Sequence, residues 1–225
     1  MRRGLVVNLR EGIALIRPIH EVFYIEMIAF HIKTIFEKTE RVNYELDAIA
    51  GGSSDTRGFQ EKSDSLLNAF QEILRHAAAI SRYFWPVKKG ELHAERGQKL
   101  RSVYGIDETS PLYSRNVRNA IEHFDEKLDI FMESFPTGSI YPSYVGSRTK
   151  ADADNIHCFR AYFIDGQVFR ILDSEIHIPP ILDEIGRIND LLSKQIVDGA
   201  RLASAHNEAG ASSQTISSRT DGLDR

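Results

Sequence analysis

Apolar residues recur at alternating steps of four and three along the first long stretch of this chain, which is the spacing of one helix face. The stretch runs from Pro18 to about Ala50, with Pro18 suited to a first helical turn and Gly51 and Gly52 suited to the end. The pattern predicts a helix that packs lengthwise against its neighbours at a shallow angle. Its inward positions are Ile28, Ile32, Ile35, Thr39, Val42, Leu46 and Ile49.

Three further helices are predicted by the same criterion. A loop over residues 51–58 separates the first helix from a second at about 59–85, which Pro86 stops. A shorter amphipathic segment at about 91–104 predicts a third helix, and a fourth is expected at about 114–134. The inward positions of the second helix are Leu66, Phe70, Ile73, Ala77, Ile80 and Phe84. Those of the third are Leu92, Leu100 and Val103. Those of the fourth are Val117, Ile121, Phe124, Leu128 and Phe131.

The composition changes after the fourth helix. Residues 135–155 are rich in Pro, Gly, Ser and Asp and are expected to form an exposed loop. Two strand-like runs, 158–164 and 167–172, are joined by Asp165 and Gly166, and this arrangement predicts a β-hairpin. The phenylalanines expected to pack this hairpin onto a helical face are Phe159, Phe163 and Phe169.

A last helix is expected to open at Pro179 and Pro180 and to reach about residue 204. The residues that follow contain Ser, Gly, Thr and Asp with little apolar surface to bury, which is typical of a disordered tail. The inward positions of the last helix are Ile181, Ile185, Ile188 and Leu192.

These elements together predict a mainly α fold. We expect a helical bundle of four to five helices with a small β-hairpin insertion, at about residues 157–172, before the last helix. The helical-bundle domain is expected to cover residues 1–206, and the disordered tail residues 207–225.

Composition and charge narrow the classes of function. The chain has 225 residues, 42% hydrophobic and 27% charged, which suits one domain with its own core. A net charge of −4 argues against a general nucleic-acid coat protein, although an enzyme that grips one or two phosphates remains compatible with it. Cys158, the single cysteine, is expected to be a small hydrophobe in a strand. No signal segment or apolar run of about 20 residues is seen, so we expect a cytoplasmic protein without a membrane span.

The fourth predicted helix carries the most informative polar residues. At about 100° per residue, Val117 and Ile121 share one apolar arc, while Arg118 and Asn119 lie on the opposite face. His123 falls at the edge between the two faces, one turn beyond Asn119. A histidine in that position can be oriented by packing while it keeps one ring nitrogen available for proton transfer.

The stretch Arg118-Asn119-x-x-x-His123 resembles the signature of the HEPN superfamily. This resemblance implies a helical bundle, commonly dimeric, and a metal-independent endoribonuclease of a toxin–antitoxin, CRISPR or phage-defence system. It implies that His123 moves protons, that Arg118 binds the phosphate oxygens, and that Asn119 orients His123 or the phosphate. The expected partners are an RNA substrate, a second copy of the chain, and an antitoxin or defence-system protein. No cofactor and no metal are expected.

A non-catalytic helical interaction protein with the same bundle is the alternative. Arg118 and Glu122 are spaced as an ordinary surface pair of a helix, and Glu122, Asp125 and Glu126 add negative charge that would oppose a phosphate. The two classes differ in one structural respect. A nuclease should bring Arg118 and His123 of two chains together around an open cleft, whereas an interaction module should bury or pair them.

The remaining histidines are interpreted as structural. His20 and His31 lie in a strongly apolar helix and are expected to be packed core residues. Arg75, His76 and Arg82 are expected to be helix-surface or boundary residues, although Arg82 could join a basic cleft. The spacing of His157, Cys158 and His177 fits no zinc pattern, and no Glu-x-x-His pair is present, so a metal hydrolase is disfavoured.

Overall fold

Two long antiparallel helices, α1 (Pro18–Ala50) and α2 (Thr56–Phe84), form the centre of the fold. The computed structural model describes residues 15–52, 56–114, 124–134, 137–153, 155–197, 199 and 201–202. The predicted bounds of α1 are confirmed, with Pro18 in its first turn. The start predicted for α2 is wrong, because the helix begins at Thr56, inside the expected loop.

The seam between α1 and α2 is built from the predicted apolar positions. The side chains that line it are almost fully buried, which is worth roughly 1.5–3 kcal/mol for each large side chain. Aliphatic residues dominate on α1, and α2 adds two large aromatic rings. These residues are Ile25, Ile28, Ile32, Ile35 and Val42 of α1, and Leu66, Phe70, Ile73, Ala77, Ile80 and Phe84 of α2.

A third helix, α3 (Glu91–Tyr104), lies across the end of α2 at the bounds predicted for it. Gly97 lets the two helices approach closely, since a Cβ atom there would lie 2.7 Å from the Phe84 carbonyl oxygen. The Arg101 guanidinium donates a hydrogen bond to that same oxygen. A short 3₁₀ helix at Pro111–Tyr113 follows, and the Ser81 hydroxyl of α2 donates to the Leu112 carbonyl at 2.6 Å.

The fourth predicted helix is described only in its second half. Helix α4 covers Phe124–Ser134, where Leu128 is half-buried. Residues 115–123 lie outside the described residues, and so do the core positions predicted at Val117 and Ile121. The last described helix, α6, spans Ile178–Val197, with both prolines in its first turn and its predicted inward residues buried. It ends before residue 204, and the expected tail at 207–225 is outside the described residues.

A four-stranded mixed sheet lies between α4 and α6 in the chain. Its strands, in spatial order, are β1 (Ser139–Gly146), β2 (Ile156–Phe163), β3 (Val168–Ile171) and β4 (Ser174–His177). Strand β1 is parallel to β2, and the other neighbours are antiparallel. A short helix, α5 (Arg148–Ala151), lies in the crossover from β1 to β2.

The prediction of an exposed loop at residues 135–155 is wrong, because β1 and α5 both lie within this range. The prediction rested on the Pro, Gly, Ser and Asp content of this segment, and one of these residues, Pro142, lies within β1. Proline is tolerated at the edge of a sheet, where its missing N–H leaves no ladder position empty. Strand β1 is such an edge, and the pairing with β2 passes over Pro142, from Tyr141 to Ser143.

The predicted pairing of β2 with β3 across Asp165 and Gly166 is confirmed. The prediction that this hairpin is a small insertion into a helical bundle is not confirmed. The sheet contributes to the main core, where the Phe70 ring of α2 stacks on Tyr162 at 4.4 Å and lies 5.9 Å from Phe169. The molecule is therefore mostly helical with a sheet that completes the helical core.

The three phenylalanines of the predicted hairpin do not share one role. Phe169 packs on α2, as predicted. Phe163 is buried on the other face of the sheet, with Ala161 and Val168, so its predicted packing on the helices is wrong. The half-buried Phe159 contacts Phe131 of α4, with ring centroids 6.0 Å apart. Strand alternation explains the difference between Phe163 and Phe169, since Phe169 pairs with Tyr162, and neighbouring residues of a strand point to opposite faces.

A buried carboxylate ties the start of α1 to two distant segments. Glu21 is 2% exposed and receives hydrogen bonds from Lys99 of α3 and from Arg201. The Leu202 amide also donates to it, at 3.4 Å. Burial raises the pKa of Glu21, but the contacts with Lys99 and Arg201 outweigh it and hold this pKa below its usual value. The paired carboxylate therefore stays ionised in the folded protein.

We expect Phe70→Ala to lower the free energy of unfolding by about 3–5 kcal/mol, because it removes the ring that joins α2 to β2 and β3. Urea denaturation of the full chain gives the value. Phe59→Ala, at the exposed start of the same helix, is the matched control and should cost under about 1 kcal/mol. A similar loss in both variants would mean that the sheet does not pack on α2 as described.

Candidate functional site

The catalytic residues that the sequence predicts, Arg118, Asn119 and His123, lie outside the described residues. Ser114 and the backbone of Phe124 are the nearest described positions on either side. The candidate site that the described residues do form lies elsewhere, in the groove between α1 and α2.

A pair of histidines occupies the middle of this groove. The Nδ1 atoms of His31 on α1 and His76 on α2 lie 2.9 Å apart, and the ring centroids are separated by 5.1 Å. Both side chains are half-buried. His76 therefore lies at a helix boundary, as the sequence interpretation allows, and His31 is packed and hydrogen-bonded but less buried than a core residue.

The short distance fixes the protonation pattern of the pair. Two bare Nδ1 atoms would repel each other at 2.9 Å, so one of the rings carries a proton on Nδ1 and donates it to the other. In the neutral pair, the donor ring then has a bare Nε2, and the acceptor ring carries its proton on Nε2. The pair therefore offers one hydrogen-bond acceptor and one donor at its two outer nitrogens, which are the groups that a proton relay requires.

The surroundings keep both rings neutral. Burial lowers the pKa of His31, and it is lowered further by the charge that His76 would carry if protonated and by the charge of Arg82. Burial also lowers the pKa of His76. The charge of Glu72 raises this pKa, whereas the charges of Arg75 and Lys38 lower it further. The net effect is a lowered pKa for both rings, so the pair resists the uptake of a proton.

Aromatic rings continue the groove on both sides of the histidines. Phe30 lies 5.3 Å from the His31 ring and 6.1 Å from the His76 ring, measured between centroids. Towards the start of α1, Tyr24 meets Tyr83 edge to face at 6.2 Å. The Arg96 guanidinium lies over both tyrosine rings, 5.7 and 5.5 Å from their centroids.

Towards the other end, the groove opens into a pocket of about 350 Å³. Its walls carry both cationic and anionic groups together with hydroxyl and amide groups. Lys38 belongs to this pocket and also acts on the pKa of His76, so the pocket and the histidine pair are adjacent. The lining residues are Glu37, Lys38, Arg41, Ser65, Asn68, Ala69 and Glu72.

The arrangement follows from helix register. Tyr24, His31 and Lys38 are one heptad apart on α1, and Tyr83 and His76 are one heptad apart on α2. Residues at this spacing lie on one side of a helix, so an antiparallel pairing that matches the tyrosines also matches the histidines. This heptad spacing is the signal in the sequence that could have revealed the site.

The chemistry available in the groove is proton transfer, cation contact and ring stacking. The described part of the chain holds no group of three or more His, Cys, Asp or Glu side chains arranged to bind a metal ion. None of the described helices is both long enough and apolar enough to cross a membrane. The chain matches no protein-family model, no curated protein and no solved structure.

We expect the folded protein to lose stability as the pH falls from about 7.5 to about 5.5. The pKa of both groove histidines is lowered by folding, so the unfolded chain binds more protons below the ordinary histidine value of about 6.5. The free energy of unfolding is therefore highest where the pair is neutral and decreases as the unfolded state takes up protons. Urea denaturation across this range measures the slope.

The double variant His31→Gln/His76→Gln should show a flatter dependence on pH over the same range. His177→Gln, which changes an exposed histidine of β4, is the matched control and should keep the wild-type slope. If the double variant and the wild-type protein lost stability equally, the histidine pair would not be held neutral by folding.

Proposed function

We propose that this protein is a metal-independent endoribonuclease of HEPN type, acting in the cytoplasm in a toxin–antitoxin or phage-defence setting. The observation that carries this proposal is the stretch Arg118-Asn119-x-x-x-His123. The mostly helical character of the described chain supports it. The groove between α1 and α2 adds cationic and aromatic groups of the kind that contact RNA.

The proposed reaction uses the ribose 2′-hydroxyl as the nucleophile. The 2′-oxygen attacks the adjacent phosphorus, the bond to the leaving 5′-oxygen breaks, and a 2′,3′-cyclic phosphate and a 5′-hydroxyl result. His123 takes the proton of the 2′-hydroxyl or gives one to the 5′-oxygen, since its ordinary pKa near 6.5 suits both roles. Arg118 stabilises the charge on the phosphorane with its planar fork, and Asn119 orients the histidine or the phosphate.

A homodimer follows from the same reasoning. One chain supplies one His123, whereas the reaction needs a base and an acid at the same time. Two motif helices near a two-fold axis would bring both sets of residues to one RNA strand. An antitoxin or another defence-system protein is the further partner that this function implies.

One observation favours the alternative, a non-catalytic interaction protein. Four large apolar side chains of α1, Ile19, Phe23, Met27 and Phe30, are exposed on one side of the helix. Exposed apolar stripes of this kind are typical of surfaces that contact another molecule. On this alternative, the wild-type protein would not cleave RNA, and its binding to a protein partner would depend on the stripe.

We expect His123→Ala to reduce the cleavage rate of RNA by about 10²–10⁴-fold, because it removes the group that transfers protons. Arg118→Ala should cost about 10²–10³-fold, since it removes a charge that stabilises the phosphorane. The double variant should lose little more than the more damaging single variant, because both residues act on one transition state. Cleavage of a labelled RNA under single-turnover conditions measures all three.

Cleavage should persist in EDTA and leave 2′,3′-cyclic phosphate ends, because the proposed steps use a histidine and an arginine alone. His177→Ala is the matched control and should cleave at the wild-type rate, since this histidine is exposed on β4. Cleavage that requires a divalent metal and survives His123→Ala would contradict the proposal. A wild-type protein without cleavage would favour the interaction protein instead.

Light scattering should give the mass of a dimer at high micromolar concentration, because the proposed site needs two copies of the motif. The measurement is best made on both the wild-type chain and Arg118→Ala, whose fold should be unchanged. A strictly monomeric mass for the wild-type chain would remove the support for a shared site.

A further inference from the structure

An exposed apolar stripe follows the outer side of α1. Its residues, Ile19, Phe23, Met27 and Phe30, recur at steps of four, four and three, so they lie on one side of the helix. Phe23 is 62% exposed and Phe30 is 55% exposed, although both are large aromatic side chains. An apolar surface of this kind is expected to contact another molecule. The order of its residues and the charges beside them indicate which molecule fits.

The order of side chains along the stripe is symmetric. Phe23 and Phe30 lie at equal distances on either side of a point between Glu26 and Met27, and Ile19 and Thr34 lie at equal distances further out. The Thr34 hydroxyl donates to the Phe30 carbonyl oxygen at 3.1 Å, so it needs no other partner. A two-fold interface requires such symmetry, because a residue that contacts a second residue must be contacted by it in return. An antiparallel copy of α1 therefore places Phe23 of each chain opposite Phe30 of the other.

Charged residues at the two ends of the stripe are complementary in this arrangement. Arg17, just before α1, and Glu37, two turns beyond Phe30, are both exposed. Their distances from the centre of the stripe differ by one residue, or about 1.5 Å along the axis. Glu37 of one copy therefore lies level with Arg17 of the other and with the positive end of its helix dipole. The contact forms twice, although Glu37 also lies 3.9 Å from Lys33 of its own helix.

The area of the stripe fits the apolar part of an interface between two chains. Its four side chains together expose roughly 400–500 Å², since a large aromatic side chain covers about 150–250 Å² when fully buried. A standard interface takes about 800 Å² from each partner, and about 56–65% of this area is apolar. The polar part can come from residues beside the stripe. The pocket there carries charges of both signs, from Lys38 and Arg41 and from Glu37 and Glu72, so identical surfaces need not repel each other.

We propose that two copies of this chain associate through the stripe, with α1 of one copy antiparallel to α1 of the other. The two-fold axis passes between Glu26 and Met27, and Phe23 and Phe30 of both chains form the centre of the contact. Removal of these side chains from water is the main source of the binding free energy. Only described residues take part, so this dimer does not depend on the nuclease function proposed above.

The dissociation constant of the full-length chain, from sedimentation or light scattering over a dilution series, tests this surface. The wild-type chain should be a dimer at high micromolar concentration. Phe30→Asp should raise the dissociation constant by about 100-fold or more, because it places one charge from each copy in the apolar contact. Tyr44→Asp is the matched control, since Tyr44 is an exposed aromatic residue of the same helix beyond the stripe. It should dimerise like the wild-type chain, and circular dichroism checks that both variants keep their helices.

Glu26 reports on the position of the two-fold axis. It is exposed, and it lies about 60° around the helix from Phe23, level with its own copy. The two carboxylates weaken the dimer, so Glu26→Gln should lower the dissociation constant by about twofold to fivefold. Glu40→Gln removes another exposed carboxylate of α1, far from the axis, and should leave the dissociation constant unchanged.

Cysteine cross-linking tests the register even if Phe30→Asp fails to fold. In Met27→Cys the two thiols lie about 1.5 Å apart along the axis, so oxidation should join the chains. In Phe23→Cys they lie about 10.5 Å apart along the axis, which is beyond the reach of a disulfide. Cys158 is buried, so the wild-type chain should not be cross-linked.

Three results would overturn the inference. A wild-type chain that is monomeric at high micromolar concentration would assign the stripe to a different protein or to another segment of this chain. A dimer of equal stability in Phe30→Asp and Tyr44→Asp would place the interface elsewhere. Cross-linking of Phe23→Cys in preference to Met27→Cys would exclude the antiparallel register. RNA cleavage separates this proposal from the nuclease: a stripe-dependent dimer without cleavage removes only the nuclease, and a monomer that cleaves RNA removes only this dimer.

Discussion

The packing of α1 against α2 is the interaction on which the rest of the structure depends. Four isoleucines of α1 are buried along the contact, so a shift of one residue between the helices would misplace all four. They are Ile25, Ile28, Ile32 and Ile35. This constraint fixes the axial register, and the register brings Tyr24 to Tyr83 and His31 to His76. The groove is therefore a consequence of core packing, and it needs no separate loop to position its side chains.

The face of the sheet turned away from the long helices is covered by Ala151 of α5 and by charged groups. Arg148 and Arg170 lie over the Phe163 ring, 4.7 and 4.5 Å from its centroid, and both bind Glu175. The hydrogen bonds from Arg148 have the largest effect on the pKa of Glu175 and lower it, whereas burial raises it. The contacts with Arg170 lower it further, and the resulting pKa is about 2. The carboxylate stays ionised at neutral pH, so the guanidinium groups remain in place over the ring.

The sequence predicts the parts of this fold that depend on local periodicity. The bounds of α1 follow from apolar spacing and from Pro18, Gly51 and Gly52, and those of α3 follow from apolar spacing alone. The β2–β3 pairing follows from its Asp-Gly turn. Strand β1 was missed because its segment has the Pro, Gly, Ser and Asp content of a loop. The place of Pro142 at the sheet edge, where proline is tolerated, is decided only by tertiary structure. The histidine pair was missed for a similar reason. His31 and His76 are 45 residues apart, and their contact exists only once the helix register is set.

The neutral state of the histidine pair preserves the contact between the two long helices. A doubly protonated pair would place two like charges about 3 Å apart, and it would lose the Nδ1 hydrogen bond that joins α1 to α2. A neutral pair keeps that bond and still presents one donor and one acceptor at its two outer nitrogens. The adjacent pocket carries charges of both signs, from Lys38 and Arg41 and from Glu37 and Glu72. The hydrogen bond that holds the helices in register is therefore separate from the charged groups that line the pocket.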